Sequence, residues 1–138
     1  MRQFTSSKAE FDRFENRRRY PRVVLDKNVN LFLPGNQPVS VTLHDISECA
    51  IQARFNAGTE ETIRLALENA SAVDKPLLGI KFRIKLHDHV EDIFVSCNPV
   101  CICQLDSDIF AMGLQFSDLE SKYQTLINKF IEVSLEPV

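Results

Sequence analysis

The chain has 138 residues, 44% of them hydrophobic and 25% charged, with a formal net charge of -3. That is the size of one ordinary domain with enough apolar content for one core. No apolar run approaches the length needed to span a bilayer, and the first residues carry no secretory h-region. Four cysteines without such a signal read as free thiols, so the expectation is a soluble cytoplasmic protein with no membrane insertion.

The charge is unevenly placed. Residues 1–22 hold seven Lys/Arg against three acids, a balance of +4, and the remainder is left at -7. A basic arm on an acidic body suits a discrete anionic ligand, whereas the body repels an extended polyphosphate. A general nucleic-acid binder is not expected.

In chain order, residues 1–16 read as a flexible arm, in which Phe11 and Phe14 offer one short helical face. The run Arg17-Arg18-Arg19-Tyr20-Pro21-Arg22 follows, four guanidiniums within six residues. Such a cluster is an anion trap, because guanidinium forks stay charged and match phosphate and guanine edges bidentately. Pro21 biases Tyr20 towards extended backbone and marks the boundary with a single domain, 17–138.

From Arg22 onward the pattern is β-like. Residues 24–25 and 29–33 form an interrupted strand ending at Pro34-Gly35-Asn36, and Val39, Val41 and Leu43 alternate with polar residues. Asp45–Glu48 reads as a turn and 50–55 as the returning strand. Two periodicities compete over 59–70: Ile63, Leu65 and Leu67 alternate, while Ile63, Ala66, Leu67 and Ala70 share a helical face. Thr59 as an N-cap and the i,i+4 pairs Glu60–Arg64 and Arg64–Glu68 favour the helix. Leu78, Ile80, Phe82, Ile84 and Leu86 mark the clearest strand, with His87-Asp88-His89 as an exposed hairpin turn. A long strand follows over 92–103, kinked at Pro99, then another over 109–116. Ser117 is expected to cap a C-terminal helix over 118–134, with Leu119, Tyr123, Leu126, Ile127, Phe130 and Ile131 as its apolar stripe.

The arginine run, followed by Asp45-Ile46-Ser47-Glu48-Cys49-Ala50, resembles the paired signature of the PilZ domain, RxxxR and then [D/N]xSxxG. Arg18 and Arg22 fill the first motif, and Asp45 and Ser47 most of the second; Ala50 stands where the family usually has glycine. Phe110-Ala111-Met112-Gly113-Leu114-Gln115-Phe116 is similar to the family's closing strand. The resemblance implies an all-β fold, a six-stranded antiparallel barrel with a C-terminal helix, and cyclic di-GMP as ligand. It assigns Arg18 and Arg22 to phosphate and guanine, Asp45 and Ser47 to a guanine, Arg17 and Arg19 to extra contacts, and Ala50 to the edge of the site. A guanine offers N7 and O6 to a guanidinium fork and N1–H and N2–H to a carboxylate.

The resulting expectation is a receptor and adaptor whose arm changes conformation on binding and signals to a protein partner, in motility, biofilm or pilus function. A degenerate PilZ-like adaptor without nucleotide is the alternative, favoured by Ala50, since alanine at a position needing positive φ costs about 1 kcal/mol. An RNA-binding barrel is a third reading, without the exposed aromatics that stack bases. Cys97, Cys101 and Cys103 share one parity along a strand, but lack the knuckle spacing of a zinc site and read as core. No metal or cofactor is expected. The sequence has no Gly-rich phosphate loop, HExxH or Gly-x-Ser-x-Gly elbow, so it reads as a non-enzyme.

Overall fold

The computed structural model describes residues 7–16, 21–70 and 77–136. Alternating apolar residues drive six strands: β1 (Val23–Leu33), β2 (Gln37–Ile46), β3 (Ala50–Phe55), β4 (Leu78–Lys85), β5 (Val90–Asp106) and β6 (Ile109–Ser117). Every pairing is antiparallel, and the strands close in a ring in the order β1-β2-β3-β6-β5-β4. Inward residues of all six strands meet in one core, including Leu31, Leu43, Ile51, Ile80, Ile93 and Met112. Among the described residues three helices accompany the ring: α1 (Lys8–Asn16), α2 (Ala57–Ala70) and α3 (Ser121–Ser134). Six antiparallel strands and a C-terminal helix are the fold expected from the resemblance. Among the described residues no helix is long and apolar enough to cross a membrane.

The competition over 59–70 resolves as helix. Asn56, not Thr59, caps α2: its side-chain oxygen accepts from the Thr59 N–H at 2.8 Å. Glu60–Arg64 (3.2 Å) and Arg64–Glu68 (3.7 Å) form as the spacing predicts, and Ile63 and Leu67 are buried in the core. Truncating Leu67 to alanine would cost about 2–5 kcal/mol.

The segment read as a flexible arm contains α1. Its start is a capping box: the Glu10 N–H donates to the Ser7 hydroxyl at 3.1 Å, and the Glu10 carboxylate accepts from the Ser7 N–H at 3.4 Å. Phe11 is buried against Cys101, Cys103 and Ala111 on the outside of the ring.

β5 runs longer than the expected 92–103, and the junction of β6 with α3 also differs from expectation. Ser117 closes β6 instead of capping the helix, because Asp118 takes φ 49° and reverses the chain; α3 begins at Ser121 behind an extended Glu120. The shared parity of the three cysteines is also broken. A bulge between Pro99 and Cys101 inserts one residue into β5, so Cys97 faces the main core while Cys101 and Cys103 face outward under Phe11. Among the described residues no group of three His, Cys, Asp or Glu side chains is placed to hold a metal ion.

Candidate functional site

The site follows from a second bulge. In an unbroken strand Asp45 would share the inward face of Leu43, and a carboxylate in that core would be costly. The β2–β3 register instead shifts between Leu43 and Asp45, and Leu43 pairs with Ala53, Asp45 with Gln52, and Ile46 with Ile51. Leu43, Ala53, Ile46 and Ile51 stay in the core, and Asp45 and Gln52 turn outward. On its other side Asp45 pairs with Val24, which is 68% exposed, confirming the outward face. Asp45 therefore lies in strand β2, and the turn begins two residues later, at Ser47, instead of at Asp45 as expected.

Across the ring this outward row continues from Gln52 to Gly113 of β6 and from Gly113 to Cys101 of β5. One path thus runs from Asp45 to the surface on which Phe11 of α1 is seated. Arg54 lies on the same face, its Nε donating to the Gln52 side-chain oxygen at 2.9 Å.

The turn itself holds Ser47. Its backbone N–H donates to the Ala50 carbonyl at 2.9 Å, closing the β2–β3 hairpin. Its hydroxyl donates to the same carbonyl and accepts from the Cys49 N–H, both at 3.4 Å. The hydroxyl thus serves the turn first, which is the ordinary habit of serine there. The turn is pinned from outside as well: the Phe116 N–H donates to the Cys49 carbonyl at 2.9 Å, and the Gln124 side chain donates to the Glu48 carbonyl at 3.1 Å.

Pairing of Val23 with Ile46 fixes the arginine motif relative to this turn. Arg22 directly precedes Val23 and Ser47 directly follows Ile46, so both adjoin this last pair of the ladder. Arg22, Asp45, Ser47 and Ala50 are thereby brought to one end of the β1–β2–β3 sheet; Arg17, Arg18 and Arg19 lie outside the described residues. Asp45 (8% exposed), Ser47 (1%), Ala50 (4%) and Gln52 (3%) are all buried. Ala50 has no left-handed backbone: the non-glycine residues with positive φ, among those described, are Asp26, Asn36 and Asp118. It is an ordinary strand residue paired with Gln115.

Gln52 and Arg54 join Asp45 on this outer face without belonging to either motif. The hairpin supplied a signal, since a turn centred on Ser47–Cys49 puts the residue before Ile46 opposite the one after Ile51.

No known family profile matches the chain, and no curated protein matches it. Solved structures do. The Bacillus subtilis inhibitor of motility (MotI/DgrA) superposes with a TM-score of 0.59 at 16% identity, over 84% of this chain and 50% of that one. The Borreliella burgdorferi PlzA protein, solved in complex with c-di-GMP, superposes with a TM-score of 0.50 at 14% identity, over 89% of this chain and 44% of that one. The chain thus spans about half the length of these neighbours. At such identities the likeness is one of fold.

Proposed function

We propose that this protein is a non-enzymatic cyclic di-GMP receptor that passes the binding event to a protein partner. The observation that carries this reading is the register of β1 on β2, which pairs Val23 with Ile46 and Val24 with Asp45, beside Arg22 and Ser47, although the two strands' motifs are more than twenty residues apart in sequence. The fold likeness to PlzA, a protein solved with c-di-GMP, supports the same ligand class. The likeness to an inhibitor of motility supports an adaptor role.

The chemistry is direct. Arg18 and Arg22, with Arg17 and Arg19 beside them, take phosphate oxygens and the N7/O6 edge of guanine. Asp45 accepts from guanine N1–H and N2–H, and Arg54 and Gln52 add polar groups on the same outer face. Ser47 holds the turn that presents Asp45. Because the arginines directly follow α1, engaging them on the nucleotide pulls on the helix seated through Phe11, and the α1 surface becomes the reporter. Ala50 imposes no backbone strain on this arrangement, so the conformational cost of alanine does not weigh against the receptor reading.

Asp45→Asn tests the assignment while keeping the shape of the side chain. In thermal melts cyclic di-GMP is expected to raise the midpoint of the wild type and to raise that of the variant much less. Equal stabilisation of both proteins by the nucleotide counts against Asp45 as a ligand group.

A further inference from the structure

The ring is closed weakly at one place. Among the described residues β1 and β4 are registered at only two residue pairs, Leu31 with Ile80 and Phe32 with Gly79. By contrast β4 pairs with β5 along its entire length, from Leu78–Cys97 to Lys85–Val90. Beyond the two closing pairs the edges of β1 and β4 part, leaving a groove of about 490 Å³ with Lys27, Asn28 and Val29 on one wall and Lys81, Phe82 and Arg83 on the other, and with Asp92 of β5 beside Arg83. Within it the Lys27 ammonium donates to the Arg83 carbonyl at 2.6 Å. A whole lysine side chain spans the space that a direct ladder bond fills elsewhere, since paired strands lie only about 4.8 Å apart.

Unpaired strand edges are templates for another strand, and proteins commonly guard them with lysine. This seam has the guard and also a chemical preference. The outward face of β4 carries Lys81, Arg83 and Lys85 in alternation, a basic stripe on a body with a net excess of acids. Arg83 is paired with Asp92 at 3.0 Å, but Lys81 and Lys85 make no ion pair among the described residues. The inward side of the groove is apolar, between half-buried Val29 and buried Phe82.

We propose that the β1–β4 seam is a docking site for a protein partner, entered by an extended segment of alternating acidic and apolar residues that adds as a strand to the free edge of β4. In such an added strand alternate side chains point to opposite faces. Its acids lie over Lys81 and Lys85, its apolar side chains fill the space between Val29 and Phe82, and its backbone N–H takes the Arg83 carbonyl from Lys27. The released ammonium then pairs with the segment. The groove wall begins on β1 at Lys27, three residues beyond Val24, the partner of Asp45, and the proposal stands without the nucleotide.

The test pans a random dodecamer phage library against the wild type and against Lys81→Glu/Lys85→Glu, without nucleotide, after thermal melts confirm that the variant is folded. The wild type is expected to enrich peptides with acids at alternate positions and apolar residues between them. A synthetic copy of the enriched peptide should bind the variant roughly tenfold more weakly or worse, and should slow amide exchange in residues 27–30 and 81–85. No enrichment on the wild type over the variant overturns the proposal. So does an enriched peptide that leaves those amides exchanging at their free rates, or polyglutamate binding as tightly as the enriched sequence.

Discussion

The side-chain amide of Gln124 in α3 donates to the backbone carbonyl of Glu48 at 3.1 Å, joining groups 76 residues apart. Its second proton goes to the Asn128 side chain at 2.7 Å, so the amide is held in one orientation. The C-terminal helix therefore grips the middle of the turn that carries Ser47 and follows Asp45. Removing this bond by Gln124→Ala is expected to cost about 0.5–1.5 kcal/mol. A urea titration should show a lower midpoint with an unchanged slope, and amide exchange at Ser47 and Cys49 should quicken. An unaltered midpoint and unaltered exchange contradict the role given to Gln124.

Ala50 supplies a second expectation. Because its backbone is extended and its methyl is buried, Ala50→Gly gains no relief and loses packing and chain stiffness. The variant should be about 0.5–1 kcal/mol less stable, and its affinity for cyclic di-GMP should match that of the wild type. Tighter nucleotide binding by the glycine variant is the contrary outcome.

The cysteines should separate by reactivity. Burial pushes the Cys97 thiol up to about 12, and burial also raises Cys103, with the charge of Asp12 adding to it. The thiolate is the nucleophile, so these two react slowly, whereas Cys49 is exposed on the turn after Ser47. Iodoacetamide on the native protein should label Cys49 first, and cyclic di-GMP should slow that labelling. Cys97 labelled as fast as Cys49 in the folded protein contradicts the burial assigned to it.

His89 gives a pH dependence. Its imidazole Nδ1 lies 2.6 Å from the Asp88 carboxylate and its Nε2 lies 3.3 Å from Glu91, and the Asp88 bond raises its pKa above the ordinary 6.5. Asp88 is correspondingly lowered by the hydrogen bond from His89. A raised histidine stabilises the fold fully below the unfolded value and loses that contribution as pH rises through the folded value. Towards acid, the Asp88 contribution is lost as pH falls through its own depressed value. The pair therefore helps most in mildly acidic solution. In an NMR titration His89 should titrate above 6.5 in the wild type and closer to 6.5 in Asp88→Asn; identical curves contradict the pairing.

Most of the fold was legible because the two signals that specify it are local. Strand alternation gave β3 to the residue and β4 to within one residue at each end but stopped two residues short at each end of β2, and the break after Val24–Leu25 is the bulge at Asp26, which takes φ 50°. Proline announced the irregularity at Pro99, but not its consequence, because a bulge changes which face every later side chain takes. The parity argument for the cysteines failed for that reason. The same blindness hid the outward turn of Asp45, which depends on a register shift that alternation does not encode. The capping box at Ser7–Glu10 was present in the sequence, but the polar composition of the first fifteen residues pointed to a loose arm. Gln124 and Glu48 were out of reach, since nothing local predicts which turn a terminal helix will touch.

The most direct test is a calorimetric titration of the wild type with cyclic di-GMP, run beside Arg18→Ala and Arg22→Ala. The wild type should bind with micromolar affinity or better. Each variant should lose about ten- to a hundredfold, the expected effect of one charge-assisted contact. A folded wild type that gives no binding heat, or variants that titrate like it, would contradict the assignment of the nucleotide to this end of the fold.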